Sequence, residues 1–272
     1  MVTNVNRVGF IGSGNMAAAL IKGIIKSRLY SPDRIRVSDN DQAKLDNIKT
    51  IYGVEGTTSN CELVKQCNII VLSVKPQAMD AVLSDIKDAA GSGHMVISIA
   101  AGIKISTIQA ALGDSVPVIR VMPNTPALIR KGVSAAAPGS NVSEDQMNIA
   151  VNILGAVGTV FRIKEEMMDE VTALSGSGPG FVFRIMECFV EAAVKQGFDP
   201  DTATMMIIQT FLGSSMLAEN SDLSLADLRK MVTSPGGTTQ AGLNYLDTNR
   251  IGEIIDGTVE TAKLRSIELG KK

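Results

Sequence analysis

Val8-Gly9-Phe10-Ile11-Gly12-Ser13-Gly14-Asn15-Met16-Ala17 is an apolar run, broken by Gly12 and Gly14 and resumed in small and apolar residues. It reads as a strand, a tight turn and the start of a helix. Gly12 permits the turn, Gly14 lets the backbone approach a pyrophosphate, and Ala17 keeps the helix close to the strand. Close packing of a helix on a strand explains a lone G-x-G-x-x-A equally well. Here a second strand ends about 25 residues later, the spacing of a dinucleotide-binding unit.

Working outward, residues 7 to about 163 alternate apolar runs with amphipathic segments, the signature of a mostly parallel, doubly wound sheet with crossover helices. The expected strands are Arg7–Ile11, Ile35–Ser38, Ile69–Val74, Met95–Ile99 and Val118–Val121, with shorter ones at Gly132–Ala137 and Thr159–Arg162. After about Lys164 the pattern turns to helices alone. Val182, Ile185, Met186, Phe189, Val190 and Ala193 trace one apolar stripe between Pro179 and Lys195. Further helices are expected from Asp199-Pro200 to Glu219, between a Ser224/Asp227 capping box and Val232, from Gln240 to Asp247, and from Arg250 to Glu268. The domains expected are residues 1–163, binding a dinucleotide, and 164–272, an all-helical substrate-binding and dimerisation half.

Composition excludes several classes. A net charge of −2, from 26 basic and 28 acidic residues, lacks the footprint of a nucleic-acid binder. With 4% aromatics and no Trp, a base-stacking platform is not expected. No apolar stretch reaches membrane-spanning length, and Val8–Ile25 lacks the basic segment of a secretory signal. Cys61, Cys67 and Cys188 form no C-x-x-C pair, and a single His accompanies them. A metal-free cytoplasmic protein with reduced thiols is expected.

Ligands in such sheets bind beyond the carboxyl ends of the strands. Val74-Lys75-Pro76, Ala100-Ala101-Gly102 and Met122-Pro123-Asn124-Thr125-Pro126 mark three further strand exits there. At the second exit, Ser38-Asp39-Asn40-Asp41 leaves the choice of NAD or NADP open. An acid accepts from a ribose 2′-hydroxyl, whereas Ser38 and Asn40, with Lys44 nearby, suit a 2′-phosphate. In the helical half, Ser175-Gly176-Ser177-Gly178-Pro179 and Ser234-Pro235-Gly236-Gly237-Thr238-Thr239 each precede a helix. Either turn alone is an ordinary cap. Together they describe a polar cavity for a small anion. His94 stands at a strand start, away from that edge, and no paired carboxylates accompany the turns. A hydride acceptor needing no strong acid, such as a protonated imine, suits these residues.

Over essentially its whole length the chain resembles the pyrroline-5-carboxylate reductases. The matching motifs are the Gly9–Ala17 run, Val74-Lys75-Pro76, Ser98–Gly102, Val121–Ala127, Leu174–Pro179 and Ser234–Thr239. The resemblance implies reduction of L-1-pyrroline-5-carboxylate to L-proline, the last step of proline biosynthesis, with NADPH or less readily NADH. It also implies a Rossmann domain followed by a helical domain that interlocks in a homodimer, sometimes within a decamer. By motif match Gly12, Gly14, Asn15, Met16, Ser38, Asn60, Val74, Lys75, Pro76, Ala100, Ala101 and Asn124 line the cofactor. The substrate carboxylate is expected on Ser234, Gly236, Gly237, Thr238 and Thr239, with Ser177 nearby, and the turn is expected from the second subunit. Thr239 matches the hydroxyl that meets the ring nitrogen.

Two positions depart from the family pattern: Gly180-Phe181 replaces the usual Ala-Tyr, and Gly242 replaces an Ala. Two other readings share the architecture, a β-hydroxyacid dehydrogenase and a general imine reductase. Lys195 is the one candidate for the helix Lys that the former needs, and it falls in the last turn of its helix. A non-catalytic nicotinamide-nucleotide sensor is the reading from another class.

Overall fold

The computed structural model describes residues 6–270. The first part of the chain alternates β1 (Val8–Ile11), α1 (Asn15–Lys26), β2 (Ile35–Ser38), α2 (Gln42–Tyr52), β3 (Glu55–Thr57), α3 (Asn60–Gln66) and β4 (Ile69–Leu72). It continues with α4 (Met79–Ile86), β5 (Met95–Ser98), α5 (Ile105–Leu112), β6 (Val118–Pro123), β7 (Gly132–Pro138), α6 (Glu144–Gly155), β8 (Gly158–Arg162) and α7 (Met168–Val171). One sheet runs in the order β3-β2-β1-β4-β5-β6-β7-β8. All pairings are parallel except β6 with β7. The order reverses direction beside β1, which opens a crevice at the carboxyl ends of β1 and β4.

Alternate residues of the central strands β1, β4 and β5 feed two cores, which is why these strands are apolar throughout rather than alternating. Val8 and Phe10, Ile69 and Val71, and Met95 and Ile97 face one way, under Leu20, Ile21 and Ile24 of α1 and Ile153 and Leu154 of α6. Ile11, Ile70, Leu72 and Val96 face the other way, under Leu63 of α3, Leu83 and Ile86 of α4, and Ile108 of α5. Each such side chain, fully buried, contributes about 1.5–3 kcal/mol. That holds the sheet edge in place for whatever binds there.

The expected strands form with ends shifted by one or two residues, β6 running on to Pro123 and β5 stopping at Ser98. Two differences bear on the site edge or the sheet order. β3 is a three-residue edge strand that polar Glu55-Gly56-Thr57 concealed. β4 ends at Leu72, so Ser73 and Val74 leave the sheet instead of extending it. Past β8, Thr172–Gly176 forms a turn of π-helix after α7, which helical periodicity did not reveal.

The compact units are residues 1–177 with 262–272, and residues 178–261. The second contains α8 (Gly178–Lys195), α9 (Pro200–Glu219), α10 (Leu225–Met231), α11 (Thr238–Thr248) and the first part of α12 (Ile251–Leu269). Within it α8 packs on α9, where the Phe189 and Phe211 rings meet edge to face at 5.8 Å. Within the first unit the last turns of α12 dock through Ser266 Oγ, which donates to Asp169 Oδ1 at 2.6 Å, and through Lys263 with Glu170 at 3.2 Å. No helix among the described residues is long and apolar enough to cross a membrane.

Candidate active site

The glycine turn is built around a close approach. Gly12 has φ +95°, and a Cβ there would stand 2.7 Å from Ser73 O. Its amide donates to Ser38 O at 2.7 Å, so the turn is stitched to β2. Ser73, which sequence reading assigned to a strand, closes the other side. Its hydroxyl lies 2.9 Å from Ile11 O and 2.7 Å from Gly12 O and gives its proton to one of them. Gly14 differs in kind. It caps the exposed start of α1, and nothing lies within 4 Å of where its Cβ would be. The chain itself does not require a glycine there. A pyrophosphate drawn against the amides of Asn15 and Met16 does, so the turn fits a dinucleotide.

At the end of β2 the side chains are already committed to each other. Asp39 Oδ2 accepts from Ser13 N at 2.9 Å and Ser13 Oγ at 2.6 Å, and Asp39 Oδ1 accepts from Asp41 N at 3.0 Å. Burial pushes the Asp39 carboxyl up, but the Ser13 hydroxyl and amide, the Asp41 amide and Lys44 outweigh it and hold it below the usual carboxylate range. Ser38, fully buried, donates to Asn60 Oδ1 at 2.7 Å, and Asn60 Nδ2 donates to Asp85 at 3.0 Å.

Along the same edge a cleft of about 290 Å³ brings together Gly14, Asn15, Met16, Val74, Lys75 and Ala101. Lys75 and Pro76 begin a short 3-10 turn just beyond β4, and Ala100 is buried beneath the exposed Ala101. Met122 and Pro123 of β6 close the cleft's far wall, a role with no sequence signal beyond their place at a strand exit. Asn124 follows directly, but its amide serves the chain. Nδ2 donates to Ser175 O at 3.2 Å and Oδ1 accepts from Val133 N at 2.8 Å. This anchors the π-helical turn that ends in Ser177, whose own amide donates to Thr172 O at 2.8 Å. A Cβ at Gly176 would meet the Met122 terminal methyl at 2.5 Å, so a larger residue there would have to displace that side chain, which lines the cleft.

In the second unit the Ser234–Thr239 turn opens α11, two residues earlier than its sequence suggested. Gly236 takes φ +73°. Gly237 caps the helix with its amide on Ser234 O at 3.0 Å, and a Cβ there would lie 2.4 Å from Ser234 Oγ. The first amide bonded back within α11 is that of Ala241, to Gly237 O. The amides of Thr238, Thr239 and Gln240 therefore point out of the helix start, where the dipole favours an anion. One expected donor is already used, since Gly236 N donates to Gln240 Oε1 at 2.6 Å. The Thr239 side chain is exposed at this mouth.

Comparison with known proteins extends these observations to the whole chain. Residues 165–269 match the model for pyrroline-5-carboxylate reductase dimerisation. Residues 7–102 match one described as NADP oxidoreductase, coenzyme F420-dependent. Pyrroline-5-carboxylate reductase of Methanosarcina acetivorans is 40% identical over 266 residues, covering 98% of both chains. That of Arabidopsis thaliana is 33% identical, covering 97% of this chain and 96% of its own. Among solved structures, a pyrroline-5-carboxylate reductase from Coxiella burnetii superposes with a TM-score of 0.93 at 36% identity, over 99% of this chain and 100% of that one. A Plasmodium falciparum pyrroline carboxylate reductase with NADP bound gives 0.87 at 31% identity, over 98% of each. With this identity and coverage over nearly the whole of both chains, the chain belongs to the pyrroline-5-carboxylate reductase family.

Proposed function

We propose that this chain reduces L-1-pyrroline-5-carboxylate to L-proline with NADPH or NADH, the last step of proline biosynthesis. The observation that carries the reading is the open helix start at Thr238–Gln240, an anion seat separate from the glycine turn of the first unit. A dinucleotide needs one seat and a small carboxylate the other.

The dinucleotide, when bound, supplies the hydride that converts the C=N bond to an amine. The chain's own residues do the rest. The Gly12–Gly14 turn, with Asn15 and Met16, holds the pyrophosphate, while Val74, Lys75, Pro76, Ala100 and Ala101 line the path toward the nicotinamide. Ser234, Gly237, Thr238 and Thr239 seat the substrate carboxylate, and the Thr239 hydroxyl meets the ring nitrogen, holding its proton in place. The imine is already cationic when protonated, so no strong general acid is required.

Residues 164–272 act as the substrate-binding and dimerisation half. Phe183, Met205, Ile208, Leu212 and Met216 remain exposed on α8 and α9, as expected of a face that closes in a homodimer. The family match at 165–269 supports that assembly. The unpaired Cys61, Cys67 and Cys188 suit a reducing, cytoplasmic compartment.

The test is a substrate panel with NADPH and NADH. Oxidation of either nucleotide on addition of pyrroline-5-carboxylate is the expected result. Turnover of 3-hydroxy acids instead would transfer the chain to the dehydrogenase reading, and nucleotide binding without any turnover to the sensor reading. Light scattering distinguishes a dimer from a decamer.

A further inference from the structure

We propose that the last turn of α12, with the Gly270 that follows it, is a positioning element for the nicotinamide, backing the Ala101-Gly102 turn that faces that ring. The inference rests on the dinucleotide reading above and not on the identity of the imine.

A dinucleotide crosses the sheet edge where the strand order reverses, with its adenosine toward the second strand. Its nicotinamide end therefore belongs over the exits of β4, β5 and β6, on the far side of β1. The cleft lined by Val74, Lys75, Ile99, Ala101 and Met122 lies there. The β5 exit is held by hydrogen bonds at its two ends. Ile99 N donates to Leu72 O at 3.1 Å, and Ile105 N donates to Glu165 Oε1 at 2.8 Å. Among the described residues the amides of Ala101, Gly102, Ile103 and Lys104, between those anchors, have no acceptor in the chain. Gly102 turns the backbone at φ +77°, a conformation open chiefly to glycine. Such a turn depends on what packs behind it.

The end of α12 supplies that packing. A Cβ at Gly102 would stand 3.6 Å from Gly270 N and Leu269 O, and one at Gly270 would stand 3.4 Å from Gly102 O. The two backbones meet with no side chain between them. Two bonds to α7 hold the helix in that place. Ser266 Oγ, on a residue only 4% exposed, donates to Asp169 Oδ1 at 2.6 Å, and Lys263 meets Glu170 Oε1 at 3.2 Å. Glu165, Asp169 and Glu170 belong to one short acidic segment, which thus fixes both the start of α5 and the end of α12. Neither Ser266 nor Gly270 lines the cleft, so both act through the turn and not by touching a ligand.

The experiment is calorimetric titration of the full chain, in its native assembly, with NADPH and with 2′-phospho-ADP-ribose, which lacks the nicotinamide. Both ligands use the glycine turn, and only NADPH uses the Ala101-Gly102 turn. Wild type is expected to bind NADPH more tightly than the fragment. Ser266→Ala removes the bond to Asp169, and Gly270→Val sets two methyl groups beyond a Cβ that already stands 3.4 Å from Gly102 O. Each should weaken NADPH about threefold or more and leave the fragment unchanged. Gly270→Ala, whose Cβ sits at ordinary contact distance, should match wild type with both ligands. A purely structural role for the end of α12 would weaken both ligands alike. That outcome overturns the proposal, as does NADPH binding unchanged in Ser266→Ala and Gly270→Val, or wild type that binds the fragment as tightly as NADPH. Reduction of the imine is not read here. A chain that shows this discrimination yet turns over no pyrroline carboxylate sinks the proposed function and leaves this inference standing.

Discussion

Asn124 ties β6 to the small-residue turn before α8. Its Nδ2 donates to Ser175 O at 3.2 Å while its Oδ1 accepts the Val133 amide at 2.8 Å. Truncation leaves both backbone partners half-buried without a bond. Asn124→Ala should therefore cost about 1–3 kcal/mol, read as a lower urea midpoint at an unchanged slope. An unchanged midpoint would show that the bridge holds nothing.

Gly12 and Gly14 should differ in how stability responds to the same methyl group. At Gly12 it meets Ser73 O at 2.7 Å in a backbone conformation that disfavours L residues, so Gly12→Ala should lower both stability and dinucleotide affinity. At Gly14 it meets nothing of the chain. Gly14→Ala should melt within about 0.5 kcal/mol of wild type, or slightly above it, yet bind dinucleotide at least tenfold more weakly. Parallel thermal melts and nucleotide titrations separate the two effects. Equal losses of stability in both variants would refute the distinction.

This pair also shows what the sequence could reveal. The glycine spacing made the turn legible, because only a tight turn and a close ligand approach need glycine at those offsets. The two-faced core was equally legible, since strands covered on both sides must be apolar throughout. Ser73 and Asp39 were not legible in the same way. Their roles depend on which atoms across the sheet edge they reach, and a serine or aspartate beside a strand exit is ordinary in any loop. β3 stayed hidden because a short edge strand buries too little to impose a pattern. The π-turn at Thr172–Gly176 has no periodicity of its own over five residues. In the second unit the Ser234–Thr239 turn was visible as composition, but the bond from Gly236 N to Gln240 was not.

Gln240 offers a test of that turn in which stability and activity move apart. Its Oε1 lies 2.6 Å from Gly236 N, at the start of α11. A Glu there keeps the acceptor and places a negative charge at the helix N-terminus, which stabilises a helix by about 0.3–1 kcal/mol. It also repels a carboxylate seated on the Thr238–Gln240 amides. Gln240→Glu should hold or raise the melting temperature and raise KM for pyrroline-5-carboxylate at least fivefold. Thr239→Ala should lower kcat with little change in dinucleotide affinity. Unaltered kinetics in both variants would move the substrate carboxylate to another site.

Cys67 predicts an alkaline effect. Burial pushes its thiol up to about 11, against the opposing pull of Arg36 and Arg7. In the unfolded chain the thiol ionises near its ordinary value of 9.0. Between those two values the unfolded state has lost a proton that the folded state keeps, so stability falls as pH rises. Below pH 9 the contribution is fully present. Cys67→Ala removes one proton's worth of that slope, so a pH series of urea midpoints between 9 and 11 should run shallower in the variant. Identical slopes would place the thiol in a more polar setting than its 4% exposure describes.

Two ion pairs of similar appearance should differ severalfold in what they contribute. Arg162 and Glu144 meet at 2.7 Å but are both open to water, so Glu144→Ala should cost less than about 1 kcal/mol. Arg120 and Glu165 meet at 3.2 Å with the guanidinium almost wholly buried. The same Glu165 Oε1 accepts the Ile105 amide at 2.8 Å, at the start of α5. Removing Glu165 leaves a buried cation and a helix-start amide without their acceptor. Breaking a buried pair costs about 3–5 kcal/mol, and water on the Glu165 side places Glu165→Ala near the low end of that range. Because the loss comes mainly from the orphaned charge, an accompanying Arg120→Met should restore a good part of it. A double variant no more stable than Glu165→Ala alone would show that the bond to Ile105, and not the buried charge, sets the cost.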